Sequence, residues 1–277
     1  MNKDLINTID IDLLVDSIMN KNEIYKNLTV QKYYSLKWFI NALKQDRFTF
    51  QKPSTWEDPF EDFISKLTNN HKRAIYNDFN ITNDIYAMST INKKNECDGM
   101  WSNFAQKNGV LVHIKVKNLI KSIVEFLIEK NCCSNNKVYI NKYDIQNQIS
   151  NNIKMIKIDY LTDEEIAKTF RTITKTGDMN VNYLSYRMLS LKRKEFEYEN
   201  EYRFFINPKL LGLAKTTYLP IGFLNRTIEK VILSPRANDL RVSRLKNLLT
   251  NRYNINNNII DKSNLYDINY FKKTYNL

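Results

Sequence analysis

Phe196-Glu197-Tyr198-Glu199-Asn200-Glu201-Tyr202-Arg203-Phe204, running on through Phe205 and Ile206 to Asn207-Pro208, is the stretch on which the fold turns. Its aromatic and aliphatic content predicts a β-strand that stops at Asn-Pro. Strand side chains alternate, so Glu199, Glu201 and Arg203 are expected on one face and Tyr198, Tyr202 and Phe204 on the other. Two carboxylates and a guanidinium in one row describe either a solvated, self-paired sheet surface or the floor of a site. The stretch alone leaves both open.

With 277 residues, 43% of them hydrophobic, and 17 Tyr and 14 Phe, the chain can bury a real core and reads as one domain. No apolar run reaches bilayer length, and Met1-Asn2-Lys3-Asp4-Leu5 lacks the apolar stretch of a secretion signal; the expectation is a cytoplasmic protein with no membrane partner. Cys97 and the adjacent Cys132-Cys133 offer neither a disulfide framework nor metal-ligand spacing. Of the two histidines, His71 and His113, the second lies on the Leu111 face of an alternating strand and reads as a structural residue. Histidine catalysis and zinc chemistry are therefore disfavoured, and no metal is expected. A net charge of +12 points to a polyanionic partner, nucleic acid first. Coding bias toward Lys and Asn also explains the lysines, though not the deficit of acids.

Taken in order, residues 7–20 predict an amphipathic helix capped by Thr8 or Asp10. Strand Val30–Leu36, a helix through Trp38 and Leu43, and strand Asp46–Gln51 follow as a compact unit. Trp56-Glu57-Asp58-Pro59-Phe60-Glu61 is a rigid acidic turn in which Asp58 is placed to cap a helix and Glu61 to meet its dipole. Strand Asp84–Ile91, a short helix Met100–Ala105 stopped by Gly109, strand Val110–Val116 and a helix over Leu119–Ile128 come next. Helices are predicted over Lys142–Lys154, Thr162–Thr174 and Tyr183–Leu191, then strand Thr227–Ser234 and a basic helix Asp239–Thr250. Asn256–Ile260 and the tail through Tyr275 are read as one or two strands. Short strands with irregularly interspersed helices predict an α+β fold. Five glycines exclude the Walker and Rossmann phosphate loops.

Several of these pieces, in this order, resemble a bacterial family of unknown function. They are Tyr33-Tyr34-Ser35, Trp56-Glu57-Asp58-Pro59-Phe60-Glu61, Met88-Ser89, Met100-Trp101-Ser102-Asn103-Phe104-Ala105, and Phe196 to Arg203 with its Glu-x-Glu-x-Arg spelling. The resemblance covers roughly residues 28–116 and 192–265, with Glu57, Phe104 and Phe196 standing where that pattern has Asn, Tyr and Trp. The layout is also similar, more distantly, to the ADP-ribosyltransferase superfamily. That likeness implies a split β-sandwich of short strands with peripheral helices: an N-terminal helical extension over 1–26, then one domain over 27–277 with a helical insertion near 117–190. It implies NAD as donor, held by Tyr33, Ser35, Ser89 and Arg203, and catalysis by Glu201 and Glu199. Arg203 reads equally as a counter-ion to the two glutamates, while Trp56 and Trp101 read as packing.

The chemistry asks for such residues. Breaking a nicotinamide–ribose bond develops an oxocarbenium-like cation, which a fixed carboxylate stabilises and for which Glu201 is the candidate. Glu199 is placed to take a proton from the incoming nucleophile. Some members of that superfamily are toxins that modify nucleic acid in toxin–antitoxin or phage-defence modules. The resemblance therefore implies a nucleic-acid target, RNA before DNA given the charge, and a neutralising antitoxin protein. Arg236, Arg241, Arg244 and Lys246 are the candidate phosphate contacts, or else a solvated helix face. Two other readings stand beside this one: a non-catalytic nucleic-acid or protein-binding module, and a metal-dependent nuclease using Asp58, Glu61, Glu199 and Glu201.

Overall fold

Strand β3 (Tyr86–Ile91) is where the sheet branches. The computed structural model describes residues 9–24, 27–56, 58, 60–61, 85–133, 142–175, 186–207 and 217–276. One edge of β3 pairs along its whole length with β8 (Glu201–Ile206), from Tyr86 opposite Ile206 to Ile91 opposite Glu201. Its other edge is shared: Gln31 of β1 (Thr29–Tyr34) meets Ile91, and Gln51 of β2 (Phe48–Gln51) meets Ala87. Two arms diverge from there. One runs through β1 to β4 (Val110–Lys115), β10 (Ile228–Leu233) and β11 (Ile260–Lys262); the other runs through β2 to β9 (Tyr218–Ile221). Strand β5 (Ile153–Lys157) pairs with the far edge of β8, so nine strands form this sheet among the described residues. In the crotch of the fork, Lys32 Nζ donates to the Ser89 carbonyl at 2.9 Å.

The two faces of the sheet differ. Val30, Tyr34, Met88, Val112, Ile114, Phe204, Ile206, Val231 and Leu233 sit on one face, in the main core. Helix α1 (Ile11–Lys21) and helix α3 (Val116–Cys133) cover it, α1 through Leu14, Val15, Ile18 and Met19 and α3 through Leu119, Ile120, Ile123 and Leu127. Each such side chain contributes roughly 1.5–3 kcal/mol by leaving water. Asp10 caps α1, its carboxylate accepting from the Leu13 N–H at 3.0 Å. Helix α2 (Leu36–Gln45) joins β1 to β2. The opposite face carries two smaller apolar clusters, Tyr33, Ile91, Leu111 and Ile232 under Trp101, and Ala87 and Phe205 under Leu189. Glu201, Arg203 and an exposed Ser89 lie between them.

The remaining elements follow the sequence with instructive exceptions. Helix α4 (Lys142–Asn152) stops two residues before Lys154, and β5 begins at Ile153 because Ile153 and Met155 alternate into the core. The segment expected to be a helical insertion thus supplies an edge strand. It also supplies β6 (Asp159–Leu161), which pairs with β7 (Leu191–Arg193); of the helix expected over Tyr183–Leu191, residues 186–188 are helical and only Leu191 falls in the strand. Helix α5 (Asp163–Lys175) opens on a reciprocal capping pair, the Thr162 N–H donating to Glu165 at 2.8 Å and the Glu165 N–H to Thr162. Gly109 is held to glycine by close approach: a Cβ there would lie 2.3 Å from the Tyr34 carbonyl oxygen. Helix α6 (Asp239–Tyr253) leads into β11, one strand of the one or two expected from Asn256 onward, and the rest of the tail forms helix α7 (Ile268–Tyr275), with Asp267 as its N-cap. No described helix is long and apolar enough to cross a membrane. His71 lies outside the described residues, as do Thr8, Pro59 and the segment a helix capped by Asp58 would occupy.

A buried charge cluster as candidate active site

The acidic stretch does not form one strand. Lys194–Glu199 is a 3-10 turn, Asn200 takes the left-handed conformation (φ 46°), and the strand starts at Glu201. Three residues per turn put Phe196 and Glu199 on the same side, and both meet Lys192: the ring at 4.9 Å from Nζ, the carboxylate at 2.6 Å. Asn200 is fastened to the end of β3, its backbone carbonyl accepting from the Asn92 N–H and its side chain donating to the Asn92 carbonyl. Glu199 and Glu201 therefore converge through a turn, not through strand alternation. Tyr198 is exposed, while Tyr202 and Phe204 pack against or within the main core.

Five charged side chains meet here. Arg203 forks onto Glu201, Nε to Oε1 at 2.7 Å and a terminal nitrogen to Oε2 at 2.9 Å, and reaches Glu61 at 3.0 Å. Lys192 Nζ stands among Glu199 at 2.6 Å, Glu61 at 2.8 Å and Glu201 at 3.4 Å. Glu201 is 3% exposed and Arg203 1%. Trp56 covers the guanidinium at 4.3 Å, and the Leu189 carbonyl accepts from it. The row is self-paired, as one reading of the sequence has it, but it is buried where that reading expected solvent. Glu61, read as a helix-dipole partner, belongs to this cluster, while Asp58 accepts from the Phe60 N–H at 3.0 Å and turns to Arg193 at 3.4 Å.

Three carboxylates share two cations, and the excess negative charge sets the titration behaviour. Burial pushes Glu201 up, but the charge and hydrogen bonds of Arg203, with Lys192 and the Ser89 hydroxyl, overcome it and hold Glu201 at about 2. Burial pushes Glu199 up, and Lys192 offsets this only in part. Lys192 itself loses to burial and gains more from Glu201, Glu61 and Glu199, so it stays protonated beyond the ordinary lysine range. Lys32, half-buried in the fork, is lowered to about 8 by desolvation against the pull of Glu201.

Other expected site residues are placed as follows. Ser89 is exposed within an otherwise buried strand, opposite Arg203 in the register, and is the least of the influences that lower Glu201. Tyr33 shares that sheet face but is 8% exposed, its ring edge-on to Trp101 at 5.1 Å and its hydroxyl accepting from the Cys97 N–H at 3.3 Å. Ser35 is the N-cap residue of α2 and half-buried. Arg203 is the counter-ion. Arg236 is paired with Asp98 and lies over Tyr266. Arg241 and Arg244 are exposed on α6, but the buried stripe of Leu245 and Leu249 runs between Arg244 and Lys246 at about 100° per residue, so the four basic residues do not form one face.

Sequence reasoning missed Lys192. The available signal was charge order: Lys192-Arg193-Lys194 directly precedes the acidic stretch. Beside the cluster lies a cavity of about 150 Å³ whose wall includes Glu61 and Lys192. Among the described residues no group of three His, Cys, Asp or Glu side chains is disposed to hold a metal ion; the Lys192 ammonium stands where the three glutamates meet.

Residues 100–204 match the model of a family described as a protein of unknown function (DUF2971), a span that holds Lys192, Glu199, Glu201 and Arg203. No curated protein and no solved structure matches the chain.

Proposed function

We propose that the protein is an NAD-dependent mono-ADP-ribosyltransferase with a split-sandwich fold of that type, acting on nucleic acid, RNA before DNA, as a cytoplasmic toxin neutralised by an antitoxin protein in a toxin–antitoxin or phage-defence module. The observation that carries the reading is the exposed Ser89 on β3, opposite Arg203 in the register, beside a Glu201 that Arg203 fixes on the neighbouring strand. A permanently ionised carboxylate in a water-poor setting supplies the preorganised negative charge a ribosyl cation needs. Its neighbour Glu199 is shifted the other way, and oppositely shifted carboxylate pairs divide into a charge stabiliser and a proton carrier.

The donor set fits NAD in part. Of the side chains assigned to it, Ser89 is exposed, whereas Tyr33 and Arg203 are spent on internal partners. The 150 Å³ cavity takes one ring-sized group, against the roughly 300–1,000 Å³ of whole-ligand pockets. Accordingly, Ser89 and Glu201 are assigned to the donor sugar, and no internal contact is assigned to the pyrophosphate.

A metal-dependent nuclease is the second reading, favoured by the convergence of Glu61, Glu199 and Glu201. The ammonium at their meeting point and the turning of Asp58 to Arg193 place it second. Incubation with isotopically labelled NAD and total cellular RNA, DNA and protein tests the proposal. Label on RNA, lost in Glu201→Gln, is expected; Mg²⁺-dependent cleavage without label would establish the nuclease instead. Glu199→Ala should spare NAD hydrolysis more than target modification, and equal loss of both removes its assigned role.

A further inference from the structure

Helix α7 has no interior. None of its eight residues is buried, and every residue from 264 to 276 is exposed. A helix of this length is marginal in water, and most helices hold through a packed face that this one lacks. It is nevertheless built: the Asp267 carboxylate accepts from the Asn269 and Tyr270 N–H groups at 2.9 and 3.0 Å. It is also anchored. Tyr266 bonds Asp98 and Arg236, and Ser263 donates to Glu96, which accepts from Trp101 Nε1 at 2.9 Å. These ties fix the start of the tail to the turn whose Trp101 roofs Tyr33 and Ile91, on the sheet face that carries Ser89 and Glu201.

What the helix shows to water is three aromatic rings and two lysines beside Ile268. Tyr270 is 51% exposed, Phe271 53% and Tyr275 64%. Phe271 and Tyr275 touch at 4.9 Å, tilted by 46°, and among the described residues no cation or further ring meets either of them or Tyr270. Lys272 and Lys273 are exposed and stand in no ion pair among the described residues. Residues 268–277 hold no Asp or Glu.

We infer that α7 binds single-stranded nucleic acid, its rings stacking on unpaired bases and its lysines meeting the phosphates. Aromatic rings interleaved with cations make such a surface, and an acid-free basic helix on a chain of net charge +12 complements a polyanion. A groove in a partner protein would use one stripe, Ile268, Phe271 and Tyr275, and leave Tyr270 idle about 100° round the helix from Phe271. A second copy on that stripe would bring Lys272, at its border, against its own mate. The inference rests on the nucleic-acid target of the transferase reading and adds the place where the strand is held.

Fluorescence anisotropy of the full-length protein with labelled oligo(U) of about 12 nucleotides, alone and annealed to oligo(A), tests it. Wild type should favour the single strand. Tyr270→Ala, and Phe271→Ala together with Tyr275→Ala, should each weaken oligo(U) binding about tenfold, the loss of a stacked base, with the salt slope and duplex binding unchanged. Lys272→Ala with Lys273→Ala should instead lower the slope by about 1.4 units, two phosphates on a single strand. Because α7 buries nothing, none of these changes should move the urea midpoint. Ring variants that bind oligo(U) as wild type does, or that lose single strand and duplex alike, overturn the inference. So does a dimer in light scattering that the ring variants split, which assigns the stripe to a second copy. Labelled-NAD transfer is read separately: transfer to RNA with ring-independent binding sinks the helix alone, and ring-dependent binding with no transfer sinks the transferase alone.

Discussion

Arg203 and Arg236 are the same device in two settings. Each pairs with a carboxylate and lies over an aromatic ring, Arg203 on Glu201 beneath Trp56 and Arg236 on Asp98 beside Tyr266. The side chain of the first is 1% exposed and of the second 30%. Around Arg236 water competes for every bond, with Ser102 and Tyr266 as further partners. Around Arg203 it does not, so each partner removed leaves a charge with no substitute. The difference teaches where function is held: an exposed pair tolerates editing, whereas a buried one is costly to assemble and persists where fixed charge is used.

The largest expected effect follows from breaking the buried member. Arg203→Met leaves three carboxylates with Lys192 alone and should lower stability by about 3–5 kcal/mol, read as a drop in the urea midpoint. An unmoved midpoint would erase the contrast between the two sites. Pairing that change with Glu201→Leu sharpens it. The double variant should regain much of the lost stability, because well-packed apolar groups replace a buried ion pair at little or no net cost, yet show no transfer. Stability regained together with transfer would mean that Glu201 has no chemical role.

How much of this was legible in sequence depends on period. Strands β1, β2, β3, β4 and β10 and the first helices were readable because their apolar residues keep one spacing throughout and each packs on a large core. Lys194–Glu199 was not, because Glu and aromatic residues alternate at period two while the backbone turns at period three. That conflict resolves only when Lys192 offers Phe196 and Glu199 a common partner from another strand. Strand β7 is too short to announce itself, and Glu61 reached the cluster from a turn whose local pattern spoke only of capping. Glu201 and Arg203 were named correctly as neighbours on one face; their burial depends on Trp56 and Leu189, distant in sequence.

An intermediate effect separates the sites by pH. Glu201 ionises at about 2 in the folded chain against an ordinary 4.5. A depressed carboxylate contributes stability above its unfolded value, lost as pH falls through its folded one, so about 3 kcal/mol should disappear between about pH 4.5 and 2. Glu199 acts in the opposite sense: its folded value is raised, so ionising it costs stability as pH climbs past the unfolded carboxylate range. The unfolding free energy should therefore rise steeply to near pH 4.5 and then level or dip. In Glu201→Gln the steep limb should flatten, and a limb unchanged in that variant would assign it to other carboxylates.

The smallest effect belongs to the surface. Arg236→Ala should leave the unfolding midpoint nearly unmoved, because solvated pairs of this kind contribute little. It should also leave nucleic-acid affinity almost unchanged, since its charge is already met by Asp98. Arg241→Ala on the exposed side of α6 should weaken binding across all sequences and reduce the salt slope of the affinity by about one unit. Affinities measured from 50 to 200 mM salt by fluorescence anisotropy on single-stranded RNA separate the two. Were Arg236→Ala to lower the slope as much as Arg241→Ala, the Asp98 pair would have to open on binding. The two arginines would then differ in availability and not only in burial, and the surface site would be a switchable contact instead of a spent one.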